Sequence, residues 1–201
     1  DISVNYLTTS KEKIENTKNY KGYYWNPQKG EIDLQAFDGV TAIINLVGAT
    51  ISERWTKNYK KVILESRIES INLLRDTLLK IDHNIVHFIS ASGAAQFKNM
   101  GMEVSKVRTG VVLAKDEGAL PKLVKPIKLG VGAPLGSGEQ WISWIHLEDI
   151  AGIYLFLLKN QLEGKYNAVA PNPVQNKKMT KMIAAKLDSP LWVPTIKGYT
   201  R

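Results

Sequence analysis

Hydrophobic residues in this chain fall into short unbroken runs, separated by stretches in which they recur every third or fourth position. The clearest run lies in Thr41 to Thr50, TAIINLVGAT, where Ala42-Ile43-Ile44-Asn45-Leu46-Val47 stops at Gly48-Ala49. A β-branched and aliphatic run of this length predicts a buried parallel strand that feeds a helix through a ligand-facing loop. Behind it, Leu64, Ile68, Ile71, Leu74, Leu78 and Ile81 recur at steps of three and four. A helix from about Lys57 to Lys80 is therefore expected to lay one apolar stripe on a sheet face, with its charges outward. Ile2 to Leu7, Tyr23 to Trp25, Ile85 to Ser92, Val104 to Leu113, Ile142 to His146 and Tyr166 to Ala170 read as further strands.

Between these runs, Asn26 to Gly30 reads as a turn, and Ile32, Leu34 and Phe37 as a brief helical or irregular piece. Glu148 and Asp149 place acids at the positive end of a helix running to about Lys159, and Lys178 to Leu187 is a last helix. The glycines of Leu129 to Gln140 (130, 132, 136 and 138) match neither the dinucleotide nor the P-loop spacing, so that stretch is expected to be a loop or hairpin.

Strand and helix in alternation predict an α/β protein built on a doubly wound parallel sheet, a Rossmann fold, with a smaller C-terminal lobe. One conflict stands inside that prediction. Only eleven residues, Gly93 to Glu103, separate two strands whose parallel crossover needs a dozen or more and usually a helix. Either the two strands are not parallel neighbours or residues are missing near positions 92–93, and the second is expected. The chain also opens at Asp1, with no Met, just before a strand. The expected organisation is a dinucleotide-binding domain over residues 1–115, lacking its first strand, and a C-terminal lobe over 116–201 from which 142–159 packs back on the sheet.

Composition narrows the chemistry. Of 201 residues, 44% are hydrophobic, enough for a sizeable core, and the longest apolar run, Ile150 to Leu158, is far short of the ~20 residues of a membrane span. With no cysteine and three unclustered histidines (His83, His87, His146), no metal site is expected and a reducing, cytoplasmic setting fits. The net charge of +8 comes from lysines scattered among acids, so no nucleic-acid partner is expected. A basic surface favours a phosphorylated small ligand.

In a dinucleotide-binding fold, the end of the second strand meets the adenosine ribose, where an acid disfavours a 2′-phosphate. Here Thr8-Thr9-Ser10-Lys11 offers hydroxyls and a lysine, which points to NADP(H) as the preferred cofactor, with NAD(H) second, if the stretch is more than a polar turn.

Five strings in order, INLVGATISERWTKNYKKVILESRIES, FISAS, RTGVVLAKDEGAL, PLGSGEQWISWIHLEDI and YNAVAPNPVQN, resemble the epimerase-family branch of the extended short-chain dehydrogenases/reductases. The likeness covers about Tyr23 to Asn176. It implies an NAD(P)-dependent enzyme of the nucleoside-diphosphate-sugar epimerase type, an epimerase/dehydratase or reductase. The resemblance would line the cofactor with Leu46, Val47, Gly48 and Ala49 on its adenosine and pyrophosphate side, and would run Ser90, Ala91 and Ser92 beneath the nicotinamide. Ser92 would hold the catalytic hydroxyl position, and Arg108, Thr109, Gly110 and Val111 would meet the nicotinamide end. Arg54, Trp55, Trp144 and His146 would face a small-molecule substrate.

Two departures qualify the implication. The glycine-rich turn after a first strand is absent, and no Tyr is followed four positions later by Lys, the proton-transfer pair of the wider superfamily. An alternative reading is therefore an NADP(H)-binding regulatory or scaffold protein without turnover, monomeric or homodimeric in either case. Simpler roles also stand for single residues. Ser92 can end a strand, His146 can make a structural hydrogen bond, Trp141 and Trp144 can pack, Arg67 can form an ion pair or cap, and Asp149 can start a helix.

Overall fold

The computed structural model describes residues 2–50, 53–91 and 93–191. Among these residues, eleven strands and five α-helices follow one another along the chain. They are β1 (Val4–Thr8), β2 (Tyr20–Asn26), β3 (Glu31–Ile32), β4 (Ala42–Asn45), α1 (Lys57–Leu78), β5 (His87–Ser90), α2 (Ala95–Lys98), β6 (Glu103–Thr109) and β7 (Val111–Leu113). They continue with α3 (Ala119–Lys128), β8 (Trp141–Ile142), β9 (Trp144–His146), α4 (Leu147–Lys159), β10 (Gly164–Ala168), β11 (Val174–Gln175) and α5 (Asn176–Lys186). The chain divides into two compact units, residues 1–107 with 157–166, and residues 108–156 with 167–201.

In the first unit, four strands form a sheet in the order β10-β6-β5-β4, and β4, β5 and β6 run parallel. This is the Rossmann-like parallel sheet that the alternation predicts. β5 and β6 are direct parallel neighbours, His87 opposite Glu103 and Ser90 opposite Lys106, although only residues 91–102 connect them. The crossover closes because α2 is a single turn whose Phe97 is fully buried, its ring stacked on Phe88 with centroids 3.7 Å apart. β1 and β2, also parallel, pair in a separate three-stranded sheet with β3. Their equally short connection is held by Tyr6, whose hydroxyl donates to the Lys13 carbonyl (2.5 Å) and accepts from the Glu15 N–H (2.7 Å). The Tyr6 ring stacks on Tyr20, and a side chain at Gly22 would collide with it.

α1 begins at Thr56, whose hydroxyl accepts from the Tyr59 N–H (3.1 Å), and ends within two residues of the expected Lys80. Its stripe is only partly used. Ile71, Leu74 and Leu78 enter the core with Trp25, Phe37, Phe88, Phe97 and Met102, whereas Leu64 and Ile68 remain 59% and 47% exposed. The reason is local: the β5–β6 connection is too short to bring a full helix against that end of α1.

In the second unit, β7 pairs in parallel with β9, and β8 is antiparallel to β11. The stretch expected as one strand over 104–113 breaks at Gly110, where the chain changes partners. The Gly110 N–H donates to the Ala168 carbonyl, and an added Cβ would stand 2.8 Å from the Ser143 carbonyl oxygen. The stretch 142–146 breaks likewise at Ser143, whose carbonyl accepts from Val111 N–H. α3 is an element the hydrophobic pattern did not predict, because Pro121 and Pro126 lie inside it. Residues 129–140 form the loop expected, with the Leu135 N–H donating to the buried Asn176 side chain (2.7 Å). Among the described residues no helix is long and apolar enough to cross a membrane.

Three substitutions test this packing by urea unfolding. Phe97→Ala should cost about 3 kcal/mol or more, the usual range for an aromatic removed from a core. Gly110→Ala should cost about 1–3 kcal/mol because the clash is with backbone, whereas Gly152→Ala, where an added Cβ meets nothing, should be neutral or stabilising.

Candidate functional site

Parallel strands leave their carboxyl ends on one edge, and the residues just beyond those ends are where a ligand is met. In the first unit that edge is built by β4 and β5. Asn45 stands opposite Ser90, and the Ala91 N–H donates to the Asn45 carbonyl (3.2 Å). The Asn45 side chain is buried; its Oδ1 accepts from the Val47 N–H (3.2 Å), which turns the chain out of the strand, and its Nδ2 is buried without a hydrogen-bond partner. An orphaned buried amide donor is uncommon and points to a ligand acceptor. The sequence reading passed over Asn45, although a polar residue inside the most apolar run of the chain was its signal.

Beyond Asn45, Leu46 is 62% exposed, while Val47 packs on the core. Gly48 lies against α1, where an added Cβ would stand 2.6 Å from the Arg67 guanidinium carbon. The Ala49 N–H donates to Ser66 Oγ (2.9 Å), and Tyr59 Oη donates to the Thr50 carbonyl (2.8 Å). Arg67 Nη1 donates to the Ile63 carbonyl (2.7 Å), which holds the guanidinium beside Gly48. The expected ion pair or cap at Arg67 is thus replaced by a cation laid along a glycine loop. Arg54 precedes α1, its carbonyl accepting from the Thr56 N–H, and Trp55 beside it is 56% exposed. Ser90 is fully buried and Ala91 exposed; Ser92 lies outside the described residues.

The loop after β1 is locally engaged. Thr8 Oγ1 accepts from the Ser10 N–H (3.2 Å), and Lys11 lies over the Tyr24 ring, 5.1 Å from its centroid. Ser10 Oγ donates to the Glu12 carboxylate (2.6 Å), and this hydrogen bond is the main cause holding Glu12 below the ordinary glutamate range. Thr8 and Glu12 help line a cleft of about 420 Å³. The sequence reading weighed the hydroxyls and the lysine here and did not weigh this acid.

The other expected residues belong to the second unit. Arg108 and Thr109 end β6, Gly110 is the break, and Val111 opens β7. Trp144 Nε1 donates to the Asn172 carbonyl (3.0 Å), and His146 Nδ1 accepts from the Glu148 N–H (3.3 Å) at the start of α4. Tyr154 on α4 is buried, its hydroxyl above the ordinary tyrosine range because of burial, with the Thr109 hydroxyl acting in the opposite direction. No bond of full hydrogen-bond geometry reaches that hydroxyl, so the Thr109 contact is a weak one. Among the described residues no group of three or more His, Cys, Asp or Glu side chains could hold a metal.

His87, at the first position of β5, is 1% exposed. Its Nε2 lies 2.9 Å from Ser105 Oγ, and Ser105 Oγ donates to the Leu162 carbonyl. Because the serine proton goes to Leu162, the Nε2 proton goes to Ser105, and Nδ1 is left a bare, buried lone pair. Desolvation lowers the imidazole pKa from its ordinary value of about 6.5, and the Leu162 carbonyl opposes this only in part. The folded state therefore binds this proton less readily than the unfolded state. The stability due to neutral His87 is fully present above the unfolded pKa and is lost as pH falls through about 6.5 toward the lower folded value. Thermal melts between about pH 7.5 and 5 should show wild type losing more stability over this interval than His87→Gln; equal slopes would remove the assignment.

No protein-family model matches the chain. Among curated proteins, the epimerase family protein SDR39U1 homolog, chloroplastic, of Arabidopsis thaliana is 32% identical over 191 residues, 78% of this chain and 55% of the plant protein. The chain thus spans about half the length of that relative. An epimerase family protein of Staphylococcus aureus is 29% identical over 227 residues, 94% of this chain and 75% of its own. Since 94% of 201 residues is about 189, that match contains about 38 positions with no counterpart here. Among solved structures, that of the human epimerase family protein SDR39U1 (isoform 2) with NADPH superposes with a TM-score of 0.70 at 23% identity, over 94% of this chain and 72% of the human one.

Proposed function

We propose, from the premise that this chain is a relative of the epimerase-family proteins with the fold of the extended short-chain dehydrogenases/reductases, that it binds NADP(H) and serves as an oxidoreductase or epimerase on a small carbonyl or alcohol substrate. The observation that carries this reading is the loop after β4. Gly48 leaves its backbone uncovered beside the Arg67 guanidinium, and the orphaned Asn45 amide lies at the same strand end. A bare glycine backbone, a cation and an unused donor together fit a dinucleotide with its anionic pyrophosphate. NADPH is the ligand named for the human neighbour, and NADP(H) is likewise the preferred form here.

When bound, the nicotinamide supplies hydride transfer to or from a carbon bearing oxygen. This chain's residues would supply binding and orientation. Leu46 to Ala49 present backbone to the adenosine and pyrophosphate side, and Arg67 stands against its negative charge. Ser90 and Ala91 line the adjoining strand end, and Ser92 orients the substrate oxygen whose charge changes. Arg108 to Val111 serve the nicotinamide end, while Arg54, Trp55, Trp144 and His146 serve the substrate. A nucleotide sugar is the substrate class this reading favours. Lys11 and the hydroxyls of Thr8, Thr9 and Ser10 favour the 2′-phosphate, while Glu12, bonded to Ser10, opposes it.

Calorimetric titration of the full chain with NADPH and NADH tests the proposal. NADPH should bind at least about tenfold tighter than NADH, and Gly48→Val should weaken it by about tenfold or more without lowering the melting temperature. Equal affinities would remove the 2′-phosphate preference, and no heat with either would remove the dinucleotide reading.

A further inference from the structure

A second cleft, larger than the one at Thr8 and Glu12, lies between the middle of α1 and the β5–β6 connection, with Arg67 on its border. Its volume is about 890 Å³. One wall is an apolar ridge of Leu64, Ile68 and Ile71 at i, i+4 and i+7, the first two 59% and 47% exposed, and Val104 of β6 also lines it. Side chains at this spacing are what a helix presents to another helix. A parallel crossover normally carries a covering helix, and here α2 is one turn long.

The rim is basic. Arg67, Lys98, Lys106 and Lys165 border the cleft against a single acid, Glu163, which pairs with Lys98. A second copy of this chain would bring the same cations face to face in a protein already carrying +8. We propose that this cleft is the docking groove for an amphipathic helix of a partner polypeptide, its apolar face on Leu64, Ile68 and Ile71 and its acidic flank on Lys106 and Lys165. Helix-in-groove recognition of this kind takes apolar anchors at i, i+3 or i+4, and i+7. Arg67 also borders the β4 loop of the cofactor reading, so this inference rests on the apolar ridge with Lys106 and Lys165.

The test uses the full chain and a fluorescein-labelled synthetic helix of about 18 residues with leucines at those positions and glutamates on both flanks, followed by anisotropy. A control peptide carries lysines in place of the glutamates. The acidic peptide should bind saturably, more weakly as salt rises, and should lose about tenfold or more in affinity with either Leu64→Glu or Ile68→Glu. Both residues are exposed, so the variants should melt as wild type and still bind NADPH, which keeps this outcome separate from the cofactor test. Equal binding of the two peptides, no binding, or indifference to both substitutions would overturn the proposal. So would sedimentation showing a dimer that Leu64→Glu dissociates, since the occupant would then be a second copy.

Discussion

The arrangement rests on β5, whose four residues His87 to Ser90 are all buried and which is hydrogen-bonded on both sides to parallel neighbours. A strand enclosed in this way has one admissible register, because a slip of one residue would exchange its two faces. That register sets Asn45 opposite Ser90 and so brings the loop after β4 and the end of β5 to a common edge. It also sets His87 over Ser105's strand, where the serine bridges to Leu162. Phe88 and Ile89 then point to opposite faces, and Phe88 meets Phe97. One ladder thus positions the candidate site at one end, a buried polar relay at the other, and the anchor of the short crossover between them.

The buried polar groups of this unit have different standing. Ser105 is satisfied twice, and Ser70 and Thr77 lie on the inner face of α1, where Ser70 Oγ donates back to the Arg67 carbonyl. Asn45 Nδ2 and His87 Nδ1 are not satisfied. Each such atom has a free-energy cost on the order of 1–3 kcal/mol when left unpaired. For His87 the cost falls on an acceptor deep in the sheet, where the same burial disfavours protonation by desolvating the imidazolium. For Asn45 it falls on a donor at a strand end, where a ligand can meet it.

α1 shows how a regular sequence pattern can exceed what the fold uses. Its apolar residues recur over the whole helix, yet only those from Ile71 onward have a counterpart to pack on. Hydrophobic periodicity records which face of a helix is meant to be covered. It does not record what covers it, and at Leu64 and Ile68 nothing among the described residues does.

The parallel strands around Ile43, Phe88 and Val104, the long helix over about Lys57 to Lys80, and the helix opened by Glu148 and Asp149 were legible from the chain alone, because hydrophobic period and acids at a helix start are local signals. So was the candidate ligand loop at Gly48, since an apolar run halted by glycine is a local signal too. The break at Gly110, the unpredicted α3, the cation of Arg67 beside Gly48, the orphaned Asn45 amide and the engagement of Glu12 with Ser10 were decided only by the tertiary structure. Each depends on which atoms distant along the chain come within a few ångströms of one another, and a linear pattern carries no such distance.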